Sequence, residues 1–136
     1  MNILAGFREI AHTADWELEA WAPDLAGLLE QAARGMYALA GVQLRPGPRQ
    51  ARTVIVHASD AESLLVRFLS ELLFLGEKDG LAFDSFDLQV KGEALHAALS
   101  GAPVAAQDKE IKAVTYHKLA IRQTQDGLAV NLVFDV

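Results

Sequence analysis

The strongest constraint on how this chain folds is a pair of segments whose apolar residues recur with the three-and-four spacing of one helical face. The first spans residues 25–39. Asp24 is predicted to be its N-cap, and Gly41 is predicted to adopt the left-handed conformation just past its end. The second has its apolar face within residues 64–75, after Ser59-Asp60-Ala61-Glu62, a pattern typical of a capping box. Each amphipathic helix must bury its apolar face against another layer of structure.

The remaining segments predict that this layer is made of short strands. Apolar and polar residues alternate over residues 16–20, and the β-branched run Thr53–His57 predicts a buried strand. The alternation slips by one residue between 81 and 90, which predicts a bulge. Lys91-Gly92 and Asp126-Gly127 are predicted to form hairpin turns.

The predicted element order is therefore β-β-α-β-α followed by roughly four strands. Successive hairpins favour an α+β fold in which an antiparallel or mixed sheet carries both helices on one face. Residues 1–136 contain no internal repeat or linker, so we expect one domain.

Charge and composition exclude several classes of function. The chain has 12 basic and 18 acidic residues, for a formal charge of −6, which disfavours strong direct binding to a nucleic-acid backbone. It has no cysteine, which excludes a disulfide framework, a thiol nucleophile and a Cys-ligated metal. No apolar run approaches the ~20 residues of a membrane span, and no signal-peptide pattern is found, so we expect a cytoplasmic protein away from membranes.

Two acidic positions are candidate metal ligands. The first belongs to His12-Thr13-Ala14-Asp15, where an Asp and a His three residues apart at a strand edge could share a metal or a substrate. The alternative is that Thr13 or Asp15 only caps a turn. The second is Asp135, beside the α-carboxylate of Val136, where two anionic groups would attract a hard cation. The alternative there is a frayed, solvated terminus.

A third candidate segment runs from Glu110 to His117, where alternation breaks near Val114 and a polar Thr-Tyr-His follows. His117 could act as a ligand or a base, or could be purely structural. The familiar nucleotide-binding and catalytic motifs are absent from the sequence.

Five separated blocks of the chain, taken together and in order, resemble the archease family. They are Phe-Arg-Glu-Ile-Ala-His-Thr-Ala-Asp at 7–15, a helical block at 28–39, Ser-Leu-Leu with Leu-Ser-Glu-Leu-Leu-Phe at 63–74, Ile-Lys-Ala-Val-Thr-Tyr-His at 111–117, and Val-Phe-Asp-Val at 133–136. Their number, their order and their spread over nearly the whole chain make the resemblance specific, whereas His-Thr-Ala-Asp alone would not be.

The resemblance implies an SHS2-like (strand-helix-strand-strand) fold with inserted elements. It also implies a role, because archeases are accessory proteins of the RtcB-type RNA ligase, which joins RNA ends in tRNA splicing and RNA repair. That ligase uses GTP and manganese and becomes guanylylated on a histidine, and an archease promotes this guanylylation and permits multiple turnover. We therefore expect a non-enzymatic activator whose partner is an RtcB-type ligase, present as a monomer or weak oligomer.

The resemblance further implies a divalent metal ion held by acidic residues of the two matched ends. Carried onto this sequence, the ligands are Asp15 and Asp135, with Val136 as a neighbour. Calcium is the first expectation, and magnesium and manganese are the alternatives. The expected partner-facing motif residues are His12, Thr13 and His117.

The chain departs from the family pattern at two places. Trp16-Glu17 follows Asp15 where archeases commonly have an aliphatic residue and glycine, and the segment 101–109 lacks the longer His- and Gly-containing loop of relatives. Any metal or ligase contact made by that loop is therefore not transferred to Asp108 or Glu110.

Two other functions remain open at this stage. One is a small metal-dependent enzyme acting on RNA or nucleotide, with Asp15, Asp135 and either His12 or His117 in catalytic roles. Such an enzyme would be expected to have a basic, aromatic-lined groove, which this composition disfavours. The other is a general chaperone or interaction module, which would not need acidic residues at both ends of the chain.

Overall fold

The computed structural model describes residues 4–11 and 16–136, and these contain two helices and nine strands. The helices are α1, Leu25–Ala40, and α2, Ala61–Asp79. The strands are β1 Gly6–Ile10, β2 Trp16–Ala22, β3 Gln43–Leu44, β4 Gln50–His57, β5 Leu81–Lys91, β6 Ala94–Ala106, β7 Ala113–Val114, β8 Arg122–Thr124 and β9 Gly127–Asp135. The order predicted from sequence is confirmed, with the two-residue strand β3 inserted after α1.

Helix α1 begins and ends at the predicted residues. The Asp24 carboxylate accepts a hydrogen bond from the Gly27 N–H at 2.8 Å, as an N-cap does. Gly41 has a φ of 68°, and its N–H donates to the carbonyl of Ala38. A residue with a Cβ would be strained in that left-handed conformation, so the glycine ends the helix.

Helix α2 begins differently from the prediction. Asp60 is the N-cap, and its carboxylate accepts from the Ser63 N–H at 2.7 Å. This hydrogen bond holds the pKa of the Asp60 carboxyl below its usual value. The capping box between Ser59 and Glu62 is wrong, because the Glu62 carboxylate instead accepts from the Ile121 N–H at 3.0 Å.

The strands form two antiparallel sheets in place of the single sheet expected. The first has the order β1-β2-β9-β7, with β8 pairing a separate part of β9, and the second has β4, β5 and β3 paired with the long strand β6. Helix α1 contacts β1, β2 and β9 of the first sheet and β5 of the second, while α2 contacts β7 of the first and β4, β5 and β6 of the second. The α+β class is thus confirmed, and one hydrophobic core joins both helices to both sheets. The SHS2-like detail is compatible with this order and stays a prediction.

Three local strand predictions have definite outcomes. The register of β5 against β6 shifts between Phe83 and Ser85, which confirms the bulge. Both predicted hairpin turns are present, between β5 and β6 and between β8 and β9. The buried strand at Thr53–His57 is wrong, since only Val56 in it is buried and Ile55 is 54% exposed. The reason is that β4 lies at the edge of its sheet and pairs only with β6 within the described residues.

Strand β9 positions the candidate site. It pairs with β2 along one side, and on its other side with β8 near its start and with β7 at its end. No helix within the described residues is long and apolar enough to cross a membrane.

Candidate functional site

The fourth and last sequence blocks meet at the C-terminal end of β9, together with the residue that follows the first block. Trp16, which follows the first block, pairs with Phe134 from one side, and Val114 of the fourth block pairs with Phe134 from the other. Ala113 pairs with Asp135. Segments about 100 residues apart in the chain are therefore neighbouring strands at one corner of the first sheet, since paired strands lie about 5 Å apart.

Additional hydrogen bonds hold the fourth block onto the last. The Lys112 N–H donates to the Asp135 carbonyl at 2.7 Å, and the Thr115 N–H donates to the Val133 carbonyl at 3.0 Å. The Thr115 hydroxyl donates to that same carbonyl, also at 3.0 Å. Thr115 was not among the candidate residues, and its polar side chain directly after the break in alternation was the only signal for it.

His117 follows this anchored strand and has an exposed side chain. Its N–H donates to the Thr115 hydroxyl at 3.3 Å, so Thr115 also orders the turn that carries the histidine. Lys118, the next residue, has a φ of 53°, which marks a tight change of chain direction. The candidate histidine is thus presented to solvent from a structured turn beside β9.

The alternation of β9 places Asp135 as predicted. Phe134 is buried in the core, and the Asp135 side chain is exposed on the opposite side of the strand. Because the backbone carbonyl of Asp135 is occupied by Lys112, the strand end is fixed while its carboxylate faces solvent. The side chain of Val136 is half-buried and packs against the core.

The other predicted members of the site lie outside the described residues. His12, Thr13 and Asp15 fall in 12–15, between Ala11 and Trp16. Within 4–11 and 16–136, no group of three or more potential metal ligands is found. Asp15 and His12 are not among those residues, so the metal site stays a prediction.

Beside this corner, a lysine covers the tryptophan that departs from the family pattern. Lys109 Nζ lies 4.6 Å from the centroid of the Trp16 ring, a cation–π contact. The lysine is held there because the N–H groups of Asp108 and Lys109 donate to the Ala40 carbonyl, at 2.9 and 3.1 Å, and so tie this segment to the end of α1. The two departures noted in the sequence therefore contact each other. Because Trp16 and Lys109 are far apart along the chain, the sequence pattern did not predict this contact.

A cleft of about 610 Å³ opens between the end of α1, α2 and residues 107–114, next to the same corner. Its lining is polar and apolar in similar proportion, and it includes exposed charged side chains from Glu77, Glu110 and Lys112. The Tyr37 ring is part of the wall, and its buried hydroxyl makes no hydrogen bond of normal geometry to any residue that the structure describes. Burial raises the pKa of this hydroxyl well above its usual value, and the nearby backbone of Phe83 opposes the shift only in part.

Comparison with known proteins gives a consistent result. A model of the Archease protein family matches residues 7–136. The protein archease of Methanosarcina acetivorans is 34% identical over 139 residues, covering 96% of this chain and 95% of that protein.

Two solved structures have similar folds. The solution structure of protein 1598 from Methanobacterium thermoautotrophicum has a TM-score of 0.71 at 25% identity, covering 96% of this chain and 99% of that one. The crystal structure of an archease from Thermotoga maritima, described as a possible chaperone, also has a TM-score of 0.71, at 24% identity, with 95% and 96% covered.

Proposed function

Since the chain belongs to the archease family, we propose that it is a non-enzymatic activator of an RtcB-type RNA ligase. In this role it promotes guanylylation of the ligase and permits multiple turnover in tRNA splicing and RNA repair, in the cytoplasm. The observation that supports the proposal best is the convergence at the end of β9, where Trp16, Val114 and Phe134 are strand partners. The fourth and last blocks, with the residue that follows the first block, thus lie together at one corner, where Asp135 and His117 are exposed to a partner.

The proposed cofactor is a divalent ion held at this corner by Asp135 and Asp15. Calcium is the first candidate, and magnesium or manganese the alternatives, because all three prefer oxygen ligands. The described residues fit the ion in part. Asp135 offers a solvent-facing carboxylate on a fixed strand end, while Ca²⁺ takes about six to eight oxygens. The site therefore requires Asp15 and water as further ligands, with Val136 as a neighbour.

Electrostatics gives this corner its proposed role. Two carboxylates from opposite ends of the chain repel unless a cation or a partner's basic group lies between them. We define Asp15 and Asp135 as the acidic tip. In our proposal, the acidic tip places a metal or a basic group at the ligase nucleotide site during guanylylation. The partner-facing residues in the proposal are His12, Thr13 and His117.

The test is a ligation assay in which RNA is in excess over a purified RtcB-type ligase, with GTP and manganese, with and without this protein. We expect Asp15→Asn and Asp135→Asn to lose the stimulation. The matched control is Asp126→Asn, an exposed aspartate in the turn at the opposite end of β9, which should retain it. Unchanged stimulation by both tip variants would refute the role of the acidic tip.

The same assay distinguishes the alternatives. RNA joining or cleavage by this protein without ligase would establish the metal-dependent enzyme. The chaperone alternative takes its support from the description of the Thermotoga maritima relative. It would be established if the protein suppressed aggregation of unrelated unfolding proteins while leaving ligase turnover unchanged.

A further inference from the structure

The outer edge of β4 has a regular pattern of outward-facing backbone groups. Residues 50–57 pair one-to-one with β6, without a bulge. The Ala58 N–H donates to the Glu93 carbonyl at 3.0 Å, which makes the adjacent His57 and Ala94 a non-hydrogen-bonded pair. The N–H and C=O of His57 therefore point away from β6. By alternation, those of Ile55, Thr53 and Ala51 do so too.

Two arginines confirm this direction and cover the ends of the edge. Arg67, on α2, donates to the His57 carbonyl at 3.0 Å. The Arg52 side chain donates to the Ala51 carbonyl at 2.9 Å. Between these capped carbonyls, the outward N–H and C=O of Thr53 and Ile55 have no partner within the described residues.

An open cleft lies alongside this free edge. It is lined by Ile55 of β4, which is 54% exposed, and by Phe74 of α2, which is 50% exposed. Arg67, Ser70 and Glu71 of α2 also line it. Val54 packs toward the core. A strand added beside β4 would accordingly turn the side chain opposite Val54 toward α2, where Phe74 offers an apolar contact.

We propose that this edge binds an extended segment of a partner protein by antiparallel strand addition. Thr53 and Ile55 each supply one N–H and one C=O to the added strand. The segment has β-branched or apolar residues at its centre and a carboxylate at each end. One carboxylate pairs with Arg67, and the other lies beside Arg52, which also forms an ion pair with Asp79 at 3.5 Å.

Charge favours such a partner over a second copy of this chain. Self-pairing centred on Val54 would place His57 of one copy opposite Ala51 of the other. The Arg67 and Arg52 guanidiniums that cap those two carbonyls would then meet, and like charges across a strand pair are destabilising. The Asp79 carboxylate, 3.5 Å from Arg52, offsets this repulsion only in part. Within the described residues Arg67 forms no close ion pair, only a longer-range attraction to the Asp60 carboxylate, so its guanidinium is available to a second carboxylate. The proposal uses no residue of the acidic tip, and either proposal can fail without the other.

The experiment uses the full chain and the capped peptide Glu-Asp-Thr-Val-Ile-Val-Thr-Asp-Glu as probe, followed by amide hydrogen exchange. We expect saturating peptide to slow exchange at Thr53 and Ile55 by at least about tenfold, because their amides gain hydrogen bonds. The amides of Val54 and Val56 face β6 and should change little. A peptide with lysine at the four acidic positions should bind at least about tenfold more weakly.

Paired variants separate the edge from the fold. Thr53→Pro removes an outward N–H without removing a bond to β6, a place where an edge strand tolerates proline, and should weaken peptide binding about tenfold. Thr53→Val keeps the N–H and should bind as the wild type does. Arg67→Gln should weaken binding, while Arg122→Gln, an exposed arginine on the first sheet, should not.

Three results would overturn the proposal. One is the absence of any change at Thr53 and Ile55 with millimolar peptide. Another is equal binding by Thr53→Val and a folded Thr53→Pro, with Arg67→Gln also unchanged. The third is a dimer in sedimentation whose Thr53 and Ile55 amides are protected without peptide, which would make a second copy the occupant.

Discussion

The buried hydroxyl of Tyr37 offers a sharp test of the packing between α1 and the second sheet. Among residues 4–11 and 16–136 this hydroxyl has no hydrogen-bond partner in normal geometry, and a buried polar group without a partner costs about 1–3 kcal/mol. Removing it in Tyr37→Phe leaves the ring in place. We therefore expect the free energy of unfolding at pH 8 to be unchanged or raised by about 1 kcal/mol, the reverse of the usual effect of a core substitution.

The same hydroxyl predicts a pH dependence whose sign follows from its pKa. Burial raises the pKa of Tyr37 in the folded state, whereas the unfolded chain ionises near the ordinary value of 10.0. The protonated Tyr37 hydroxyl makes its full contribution to the free energy of unfolding below pH 10. That contribution is lost as the pH rises, because the unfolded state releases the proton first. At pH 11 the unfolded tyrosine is about nine-tenths ionised, which costs the wild type about 1.4 kcal/mol relative to Tyr37→Phe.

Guanidinium unfolding at pH 8 and pH 11 measures both effects, and the comparison between variants cancels the other groups that titrate. Tyr116→Phe is the matched control, since Tyr116 is 56% exposed and its removal leaves Tyr37 in place. The free energy of unfolding of Tyr116→Phe should fall between pH 8 and pH 11 by as much as that of the wild type. A loss of more than about 1 kcal/mol in Tyr37→Phe at pH 8 would refute the reasoning, because it would mean that the hydroxyl is bonded in solution.

Three further predictions concern the cap, the tryptophan contact and the corner. Asp60→Ala should lower the melting temperature. Because the pKa of Asp60 is lowered, the difference from the wild type should vanish in acid, as the pH falls through that lowered pKa. Lys109→Met should cost about 0.5–1 kcal/mol in chemical unfolding and alter tryptophan fluorescence, through lost contact with Trp16; unaltered fluorescence would contradict it. Phe134→Ala should cost about 3–5 kcal/mol by urea unfolding, since this side chain is buried at the corner; a cost below 1 kcal/mol would show that the corner is not packed.

The parts of the fold predicted correctly are those governed by nearby residues. Asp24 caps α1 and Gly41 ends it because both act through backbone groups one turn away. The bulge in β5 was visible as a slip in alternation within a single strand. The capping box failed because a distant group, the Ile121 N–H, takes the Glu62 carboxylate. No local pattern carries that information.

Burial of β4 was mispredicted for a related reason. The composition of Thr53–His57 is that of a buried strand, but exposure is decided by which strands flank it. Because β4 pairs with β6 alone within the described residues, Thr53 and Ile55 are left at a free edge. The division into two sheets likewise depends on long-range pairing, which residue patterns within one segment do not encode.

The candidate site shows the same boundary between local and distant information. Alternation in β9 was enough to predict that Asp135 faces away from Phe134, and the structure confirms it. The anchoring of the corner by Thr115 could be noticed only as a polar residue at a break in the pattern. The neighbour of that corner, Lys109, could not be found at all, because its contact with Trp16 joins residues from opposite parts of the chain.

That contact changes how the two departures from the family pattern should be understood. Taken from sequence, Trp16 and the short segment before residue 110 are independent changes at separate places. In the structure, backbone hydrogen bonds to the Ala40 carbonyl hold this segment, and Lys109 in it lies over the Trp16 ring. The two departures are therefore in contact with each other. Trp16 in turn pairs with Phe134, directly before Asp135. The lysine–tryptophan pair therefore packs on β2, the strand next to the one that carries the proposed metal ligand.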